Sequence, residues 1–203
     1  MKTRKGQQTT TSLPFNVDLL GSNVVLNFIN TLRNDAGVPL ETLQNDKDVL
    51  VWMKKMGLPE PKLRRSLPKG ALLQSARGLR AATLAVIREK KAGERIHLAG
   101  LNHFLAGVVS HSQLRQLKIL LNSIANFADS AEEFLGPVIE AISDLLAHGN
   151  IDLIRQCEAS GCVLWFLDRS NGRRRRFCTE DACGTRTRVA AYRAKQTQRQ
   201  AST

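Results

Sequence analysis

Apolar residues recur at intervals of three and four over much of the first 150 positions, which is the spacing of amphipathic helices. The first such run covers 23–33. Its predicted inner face consists of Val25, Phe28, Ile29 and Leu32. Gly37 and Pro39 interrupt the pattern, and we therefore predict a loop over 34–39.

Two further helices are predicted from their end signals. Asn45 or Asp46 can cap the second helix, and Gly57 ends it. The third covers 69–91, and Gly93 stops it. The predicted inner positions are Val49, Leu50, Met53 and Met56 in the second helix, and Leu72, Ala76, Leu79, Thr83 and Val86 in the third.

The remaining helical pattern extends to residue 150. We predict a fourth helix over 97–109 and a last one from Ser130 to His148, with Glu133 at the reciprocal position of a capping box. Residues 112–127 fit either a helix or short β-strands. The predicted inner residues are Leu101, Phe104, Leu105 and Val108, then Phe134, Val138, Ile142, Leu145 and Leu146.

Four cysteines, Cys157, Cys162, Cys178 and Cys183, follow the pattern C-x4-C-x15-C-x4-C. Zn²⁺ prefers four tetrahedral thiolates, and two short loops separated by a longer one can supply them. Two disulfides would require an oxidising compartment, which nothing in the sequence indicates, and unrelated thiols would not be expected to pair so regularly. We therefore predict one structural zinc ion with all four cysteines as ligands.

The residues between the cysteine pairs predict a β-hairpin. The apolar run 163–167 is typical of a strand, 170–172 is a turn signal, and 173–177 can return as the second strand. Cys162 and Cys178 would then lie at the two feet of the hairpin.

A helix is predicted from Cys183 to about 198, with Val189 and Tyr192 on its packing side. A knuckle, a hairpin and this helix describe a treble-clef-like module over 151–203, and a zinc ribbon with an appended helix is the alternative. The predicted fold class is mainly α. A basic tail over 1–12, expected to be disordered, precedes a multi-helix N-terminal domain over 13–150 and the small four-cysteine zinc module.

The zinc module resembles the CGNR zinc-finger family. The resemblance lies in the first cysteine pair, the run Leu-Trp-Phe-Leu-Asp over 164–168, Ser170, residues 175–178 and the tetrad 183–186. Residues 26–32, 101–102 and 105–106 are similar to the helical ABATE domain of that family, and the whole resemblance spans about 18–195. It implies a bacterial transcription regulator, sometimes linked to stress.

The tetrad of this chain reads Cys-Gly-Thr-Arg, with Thr185 where the family has asparagine. Threonine can also accept backbone hydrogen bonds at a helix start, so we expect the fold to be kept.

Charge is concentrated in the last part of the chain. The net charge is +12, and residues 169–203 contain ten basic residues against two acidic ones. Such an excess favours a polyanionic partner, nucleic acid above all. The candidate nucleic-acid contacts are Arg173, Arg174, Arg175, Arg176, Arg186, Arg188, Arg193 and Lys195.

We interpret the protein as a zinc-dependent DNA-binding regulator whose helical domain senses an effector or forms a homodimer. Arg186, in the first turn of the last helix, is the candidate for reading a base edge. One alternative is an adaptor whose zinc module binds an acidic protein. Another is an RNA-binding protein, although the sequence lacks the several aromatics of a stacking platform.

The sequence gives no support for an enzyme, because it contains no phosphate-binding glycine loop, nucleophile elbow or paired catalytic carboxylates. No apolar run approaches the ~20 residues of a membrane span, and polar residues stand where a signal peptide has its apolar core. We expect a cytoplasmic protein with no membrane partner. Asn27, Asn30 and Arg33 can line an effector pocket, or have solvated or capping roles.

Overall fold

The computed structural model describes residues 23–35, 38–107, 114–117, 120–123 and 127–201, so the predicted tail over 1–12 lies outside the described residues. The helices are α1 (Val24–Ile29), α2 (Asp46–Lys55), α3 (Ala71–Ala92), α4 (Ala99–Gly107), α5 (Ala131–Phe134), α6 (Gly136–His148) and α7 (Thr185–Ala201). The strands are β1 (Leu32–Asp35), β2 (Val38–Glu41), β3 (Lys62–Leu63), β4 (Leu114–Leu117), β5 (Leu120–Ser123), β6 (Phe127–Ala128), β7 (Ile154–Gln156) and β8 (Trp165–Leu167). The predicted mainly α fold class is confirmed.

The helices α2 and α3 form where the sequence predicts them. The Asn45 side chain accepts a hydrogen bond from the Asp48 N–H (3.1 Å), and the Asp48 carboxylate accepts one from the Asn45 N–H (3.2 Å), which completes a capping box. Gly93 ends α3 with a φ of 69°, a left-handed conformation that favours glycine. All five predicted inner positions of α3 are buried.

The first predicted helix is too long. In the structure α1 ends at Ile29. Leu32, which was expected on the inner face of the helix, is 37% exposed and begins β1. The predicted loop over 34–39 is wrong at 34–35 and 38–39, which lie in β1 and β2 with Asn34 opposite Pro39; residues 36–37 lie outside the described residues. The Thr31 hydroxyl donates to the Phe28 carbonyl (2.7 Å), a local bond that competes with continuation of the helix.

The region after α3 mixes short helices and strands. Leu101 of α4 is buried, but the inward placement of Leu105 is wrong, since this residue is 37% exposed; Val108 lies outside the described residues. Within 112–127, β4 pairs antiparallel with β5, so the strand alternative is the observed one. The two-residue strand β3 pairs in parallel with β6, a contact that the sequence did not predict.

The last predicted helix of the domain is divided in two. Ser130 caps α5 by accepting from the Glu133 N–H (3.1 Å), but the Glu133 carboxylate accepts from the Asp129 N–H (2.6 Å). The helix breaks at Leu135 and restarts as α6, with Pro137 in its first turn, a position that suits proline.

Two buried clusters determine how the parts of the chain are joined. The larger one lies within the helical domain, between α1, α2, α3, α5 and α6. The smaller one packs Leu26, Ile29 and Ile87 of the helical domain against Ile154 and Trp165 of the zinc module. The module is therefore attached through a shared apolar core.

Candidate metal centre and basic surface

The four cysteines converge on one point. Their sulfur atoms all lie within 4.8 Å of one another, with Cys178 Sγ 3.9 Å from Cys162 Sγ and 3.5 Å from Cys183 Sγ. A tetrahedral site with Zn–S bonds of about 2.3 Å places its sulfurs about 3.8 Å apart. Within the described ranges this is the one group of three or more metal-ligating side chains that lie together. The cysteines fit a single zinc ion, and the cofactor prediction is confirmed.

The chemistry of the thiols also calls for a cation. Contact with Cys178 lowers the pKa of the Cys162 thiol to about 5, whereas the same contact and burial raise the pKa of Cys178. Burial raises the pKa of the Cys183 thiol to about 11. One thiolate thus opposes ionisation of its neighbours, and a bound divalent cation removes this penalty. The Cys178 N–H donates to Cys157 Sγ (3.3 Å) and so helps to hold this ligand in place.

The predicted hairpin has the wrong partner strands. Strand β8 pairs with β7, which precedes the first cysteine, and Ile154 lies opposite Leu167. The loop of this hairpin carries Cys157 and Cys162. Residues 173–177, the predicted return strand, form no regular strand, because side-chain hydrogen bonds hold the chain in a turn.

The fully buried Asp168 organises that turn. Its carboxylate accepts from the Ser170 hydroxyl (2.6 Å), the Ser170 N–H (3.0 Å) and the Arg175 N–H (3.1 Å). Burial alone raises its pKa, but these bonds and Arg155 (3.5 Å) outweigh burial and hold the pKa of Asp168 below its usual value. Sequence reasoning missed this role, although the Asp-x-Ser spacing is a known local turn signal.

The tetrad after the last ligand joins the metal centre to α7. A Cβ on Gly184 would lie 2.4 Å from the Glu180 carboxylate, which pairs with Arg188 (2.9 Å) across this position. The Thr185 hydroxyl donates to the Glu180 carbonyl (3.2 Å). Arg186 Nη2 lies 3.6 Å from Cys183 Sγ, so this arginine contacts a metal ligand. Thr185 therefore fills its place in the turn without the family asparagine.

Three of the predicted basic contacts are engaged within the module. Arg175 stacks over the Phe166 ring at 4.6 Å and donates to the Phe177 carbonyl (2.9 Å). Arg176 pairs with Glu158 (2.6 Å), and Arg188 pairs with Glu180 as described. These side chains stabilise the module, and only Arg175 among them is shielded from solvent.

Four other predicted contacts point into solvent. Arg173 and Arg174 lie in the turn that Asp168 organises, and Arg193 and Lys195 lie on α7. All four are exposed, and no acidic side chain in the described part of the chain forms an ion pair with them. The structure thus brings a charged turn and a charged helix to the surface of one small module.

The polar residues at the end of α1 belong to the junction between the two parts. Asn30 is fully buried; its Nδ2 donates to the Trp165 carbonyl (2.7 Å) and its Oδ1 accepts from the Trp165 N–H (2.9 Å). Asn27 is also buried, with Nδ2 3.4 Å from the Asn23 carbonyl. Neither residue is solvated, and Asn30 holds β8 in place.

Comparison with protein families agrees with this division. A family model described as "Putative stress-induced transcription regulator", named ABATE, matches residues 22–149, and the CGNR zinc finger matches 154–196. A search of curated proteins finds no match. In the described ranges, no helix has the length and apolar character needed to cross a membrane. Since the first match covers more than half of the sequence, the chain belongs to the ABATE family and ends in a CGNR zinc finger.

Proposed function

We propose that this protein regulates transcription by binding duplex DNA through α7 and the turn 169–174 of its zinc module. The observation that carries the proposal is the exposure of α7. Every residue from Arg188 to Gln200 is exposed. Most of the stability of a helix in a protein comes from packing of one of its faces, so a partner surface is expected to cover α7.

The charge of α7 selects the kind of partner. The helix has five basic residues and no acidic one in 17 positions. It is about 26 Å long and, with side chains, ~10–12 Å wide, dimensions that fit a major groove about 12 Å wide. Arg173 and Arg174, on the neighbouring turn, are placed to contact phosphates, which position a protein on the duplex.

The contact between Arg186 and Cys183 changes the role we propose for Arg186. A guanidinium beside a metal thiolate stabilises the start of α7, and its remaining donors can still contact DNA. We therefore propose Arg193, two turns along the helix, as the better candidate for a base contact.

A second candidate function is an adaptor that binds an acidic protein. Val189 (42% exposed) and Tyr192 (63% exposed) favour it, because they lie three residues apart on α7 and offer an apolar strip. Single-stranded RNA is a poorer fit, since Tyr192 is the one exposed aromatic side chain among the described residues of the module. We propose no catalytic role, because four thiolates leave the metal no open position. A regulator of this kind acts in the cytoplasm.

The test is the salt dependence of DNA affinity, measured by fluorescence anisotropy with the zinc-loaded full chain and a labelled duplex. Each neutralised phosphate contributes about −0.9 to the slope of log affinity against log salt. Replacing both Arg173 and Arg174 with alanine should reduce the slope by about two units. The matched control replaces Lys69 and Arg95, two exposed cations of the helical domain, and should leave the slope unchanged.

Absence of binding at low salt by protein that carries one zinc per chain would reject DNA binding and favour the adaptor. Equal slopes for the two double variants would show that the turn does not contact phosphates. A loss of affinity for Arg193→Ala on one preferred sequence, with little change on random duplex, would identify a base contact.

A further inference from the structure

A cavity of about 180 Å³ lies where the helical domain meets the zinc module. Arg33 and Asn34 of β1 and Arg88 of α3 line one side, and Val163 and Trp165 line the other; apolar residues of α1, β1 and α3 complete the wall. Its volume equals that of about six water molecules at ~30 Å³ each. A small organic molecule therefore fits, and it would touch both parts of the chain.

A donor and an acceptor of the cavity lining, on Trp165 and Asn34, lack hydrogen-bond partners. Trp165 is 4% exposed and its Nε1 is buried without an acceptor, and Asn34 Oδ1 is buried without a donor. Buried polar groups are almost always paired, so an unpaired donor and an unpaired acceptor in one cavity indicate a missing partner. The partner has to accept one hydrogen bond and donate another.

The charged residues of the lining determine the charge of the missing partner. Arg33 and Arg88 contribute two guanidinium groups, and no acidic side chain is among the lining residues of the described chain. Arg88 is exposed and forms no ion pair with the described acidic residues. Guanidinium groups bind carboxylates with short, charge-assisted and often bidentate hydrogen bonds.

We propose that this cavity binds a small hydroxycarboxylate. Its carboxylate pairs with Arg88 and accepts a hydrogen bond from the indole N–H of Trp165, and its hydroxyl donates to Asn34 Oδ1. The ligand joins α3 and β1 to the segment that follows Cys162, and thereby fastens the zinc module to the helical domain. This site is separate from the surface proposed for DNA, and its occupancy can be measured without DNA.

The first experiment titrates the zinc-loaded full chain with malate by isothermal calorimetry, and with succinate, which has the same charge but no hydroxyl. We expect malate to bind, and succinate to bind several-fold more weakly, because succinate has no hydroxyl and leaves the Asn34 Oδ1 atom unpaired. Replacing Arg88 with glutamine should weaken malate at least about tenfold. Arg95→Gln removes the same charge from an exposed position outside the cavity and should change the affinity less than about twofold.

The second experiment compares a tryptophan that lines the cavity with one that lies outside it. Trp52 and Trp165 are both 4% exposed and both have an unpaired indole nitrogen, but only Trp165 lines the cavity. Trp165→Phe should weaken malate binding several-fold, and Trp52→Phe should not.

The proposal is overturned if malate at about 1 mM gives no binding to the native chain, or if Arg88→Gln and Arg95→Gln bind it equally. Equal affinities for malate and succinate would overturn the assignment of a hydroxyl-bearing ligand. Arg88 is exposed, so its variant gives a result even if Trp165→Phe fails to fold. None of these outcomes depends on DNA binding, so failure here leaves that proposal standing.

Discussion

Replacing Asn30 with alanine tests how much one buried polar side chain adds to the apolar core that attaches the zinc module. The Asn30 amide forms two hydrogen bonds with the backbone of Trp165, at 2.7 Å and 2.9 Å, and both are buried. Alanine removes both bonds and leaves the Trp165 N–H and carbonyl without these partners. The nearest chain neighbours of Asn30 cannot replace them, because Thr31 already bonds to Phe28 and Arg80.

The expected loss of stability follows from these two groups. An unsatisfied buried donor or acceptor costs about 1–3 kcal/mol, so two of them cost about 2–6 kcal/mol. The shared apolar cluster around Trp165 then loses its fixed register. Since whole domains are stable by only about 5–15 kcal/mol, the change is a large fraction of the total.

Urea unfolding of the zinc-loaded full chain measures this loss, with far-UV circular dichroism and tryptophan fluorescence as two probes. We expect the midpoint of both probes to fall for Asn30→Ala. Asn102→Ala, at an exposed position of α4, should change the free energy of unfolding by less than about 0.5 kcal/mol. A loss below about 1 kcal/mol for Asn30→Ala would refute the idea that this amide holds the module.

Two further predictions concern the metal and the pH dependence of stability. Elemental analysis should find one zinc per chain in the native protein and in an Ala182→Ser control, but not in Cys183→Ser. The helical domain of Cys183→Ser should keep its circular dichroism, because its main core lies outside the module. Loss of the entire helical signal in this variant would contradict the separation of the two parts. Burial raises the pKa of Glu41, but Arg80 and the Leu43 N–H lower it more, so the pKa lies below its usual value. The stability that the Glu41 carboxylate contributes is present above its ordinary pKa and is lost as the pH falls through the lowered pKa. The Glu41→Gln variant should therefore be less stable than the native protein by about 3 kcal/mol at pH 7, and by less at acid pH. Chemical denaturation at several pH values measures this loss of stability, with Glu60→Gln at an exposed position as the control. If the stability difference between the native protein and Glu41→Gln does not depend on pH, ionisation of Glu41 is not its source.

Local signals predicted the parts of the fold that local contacts determine. The four cysteines lie in short loops, so their spacing alone indicated a common ligand set. The ends of α2 and α3 were predictable because Asn45 and Gly93 act on their own backbone neighbours.

The sequence could not predict contacts between distant segments. Asn30 and Trp165 are 135 residues apart, and β3 pairs with β6 across more than sixty positions. Strand β7 has three residues, too few to show a period-two pattern, so the wrong partner was chosen for β8. The basic positions were visible as a set, but the ion pairs that engage Arg176 and Arg188 depend on the folded turn.

The route from the helical domain to α7 passes through the metal centre. Strand β8 contacts Asn30 through Trp165, which follows Cys162 by three residues, and α7 begins two residues after Cys183. From Arg188 to Gln200 α7 is exposed, so its direction is set by the zinc ligands and by the Glu180–Arg188 pair over Gly184. The proposed ligand site lies on the Cys162 side of this centre, and the proposed DNA contacts lie on the Cys183 side. Zinc is therefore the element that links the proposed ligand site to α7, the helix that we propose contacts DNA.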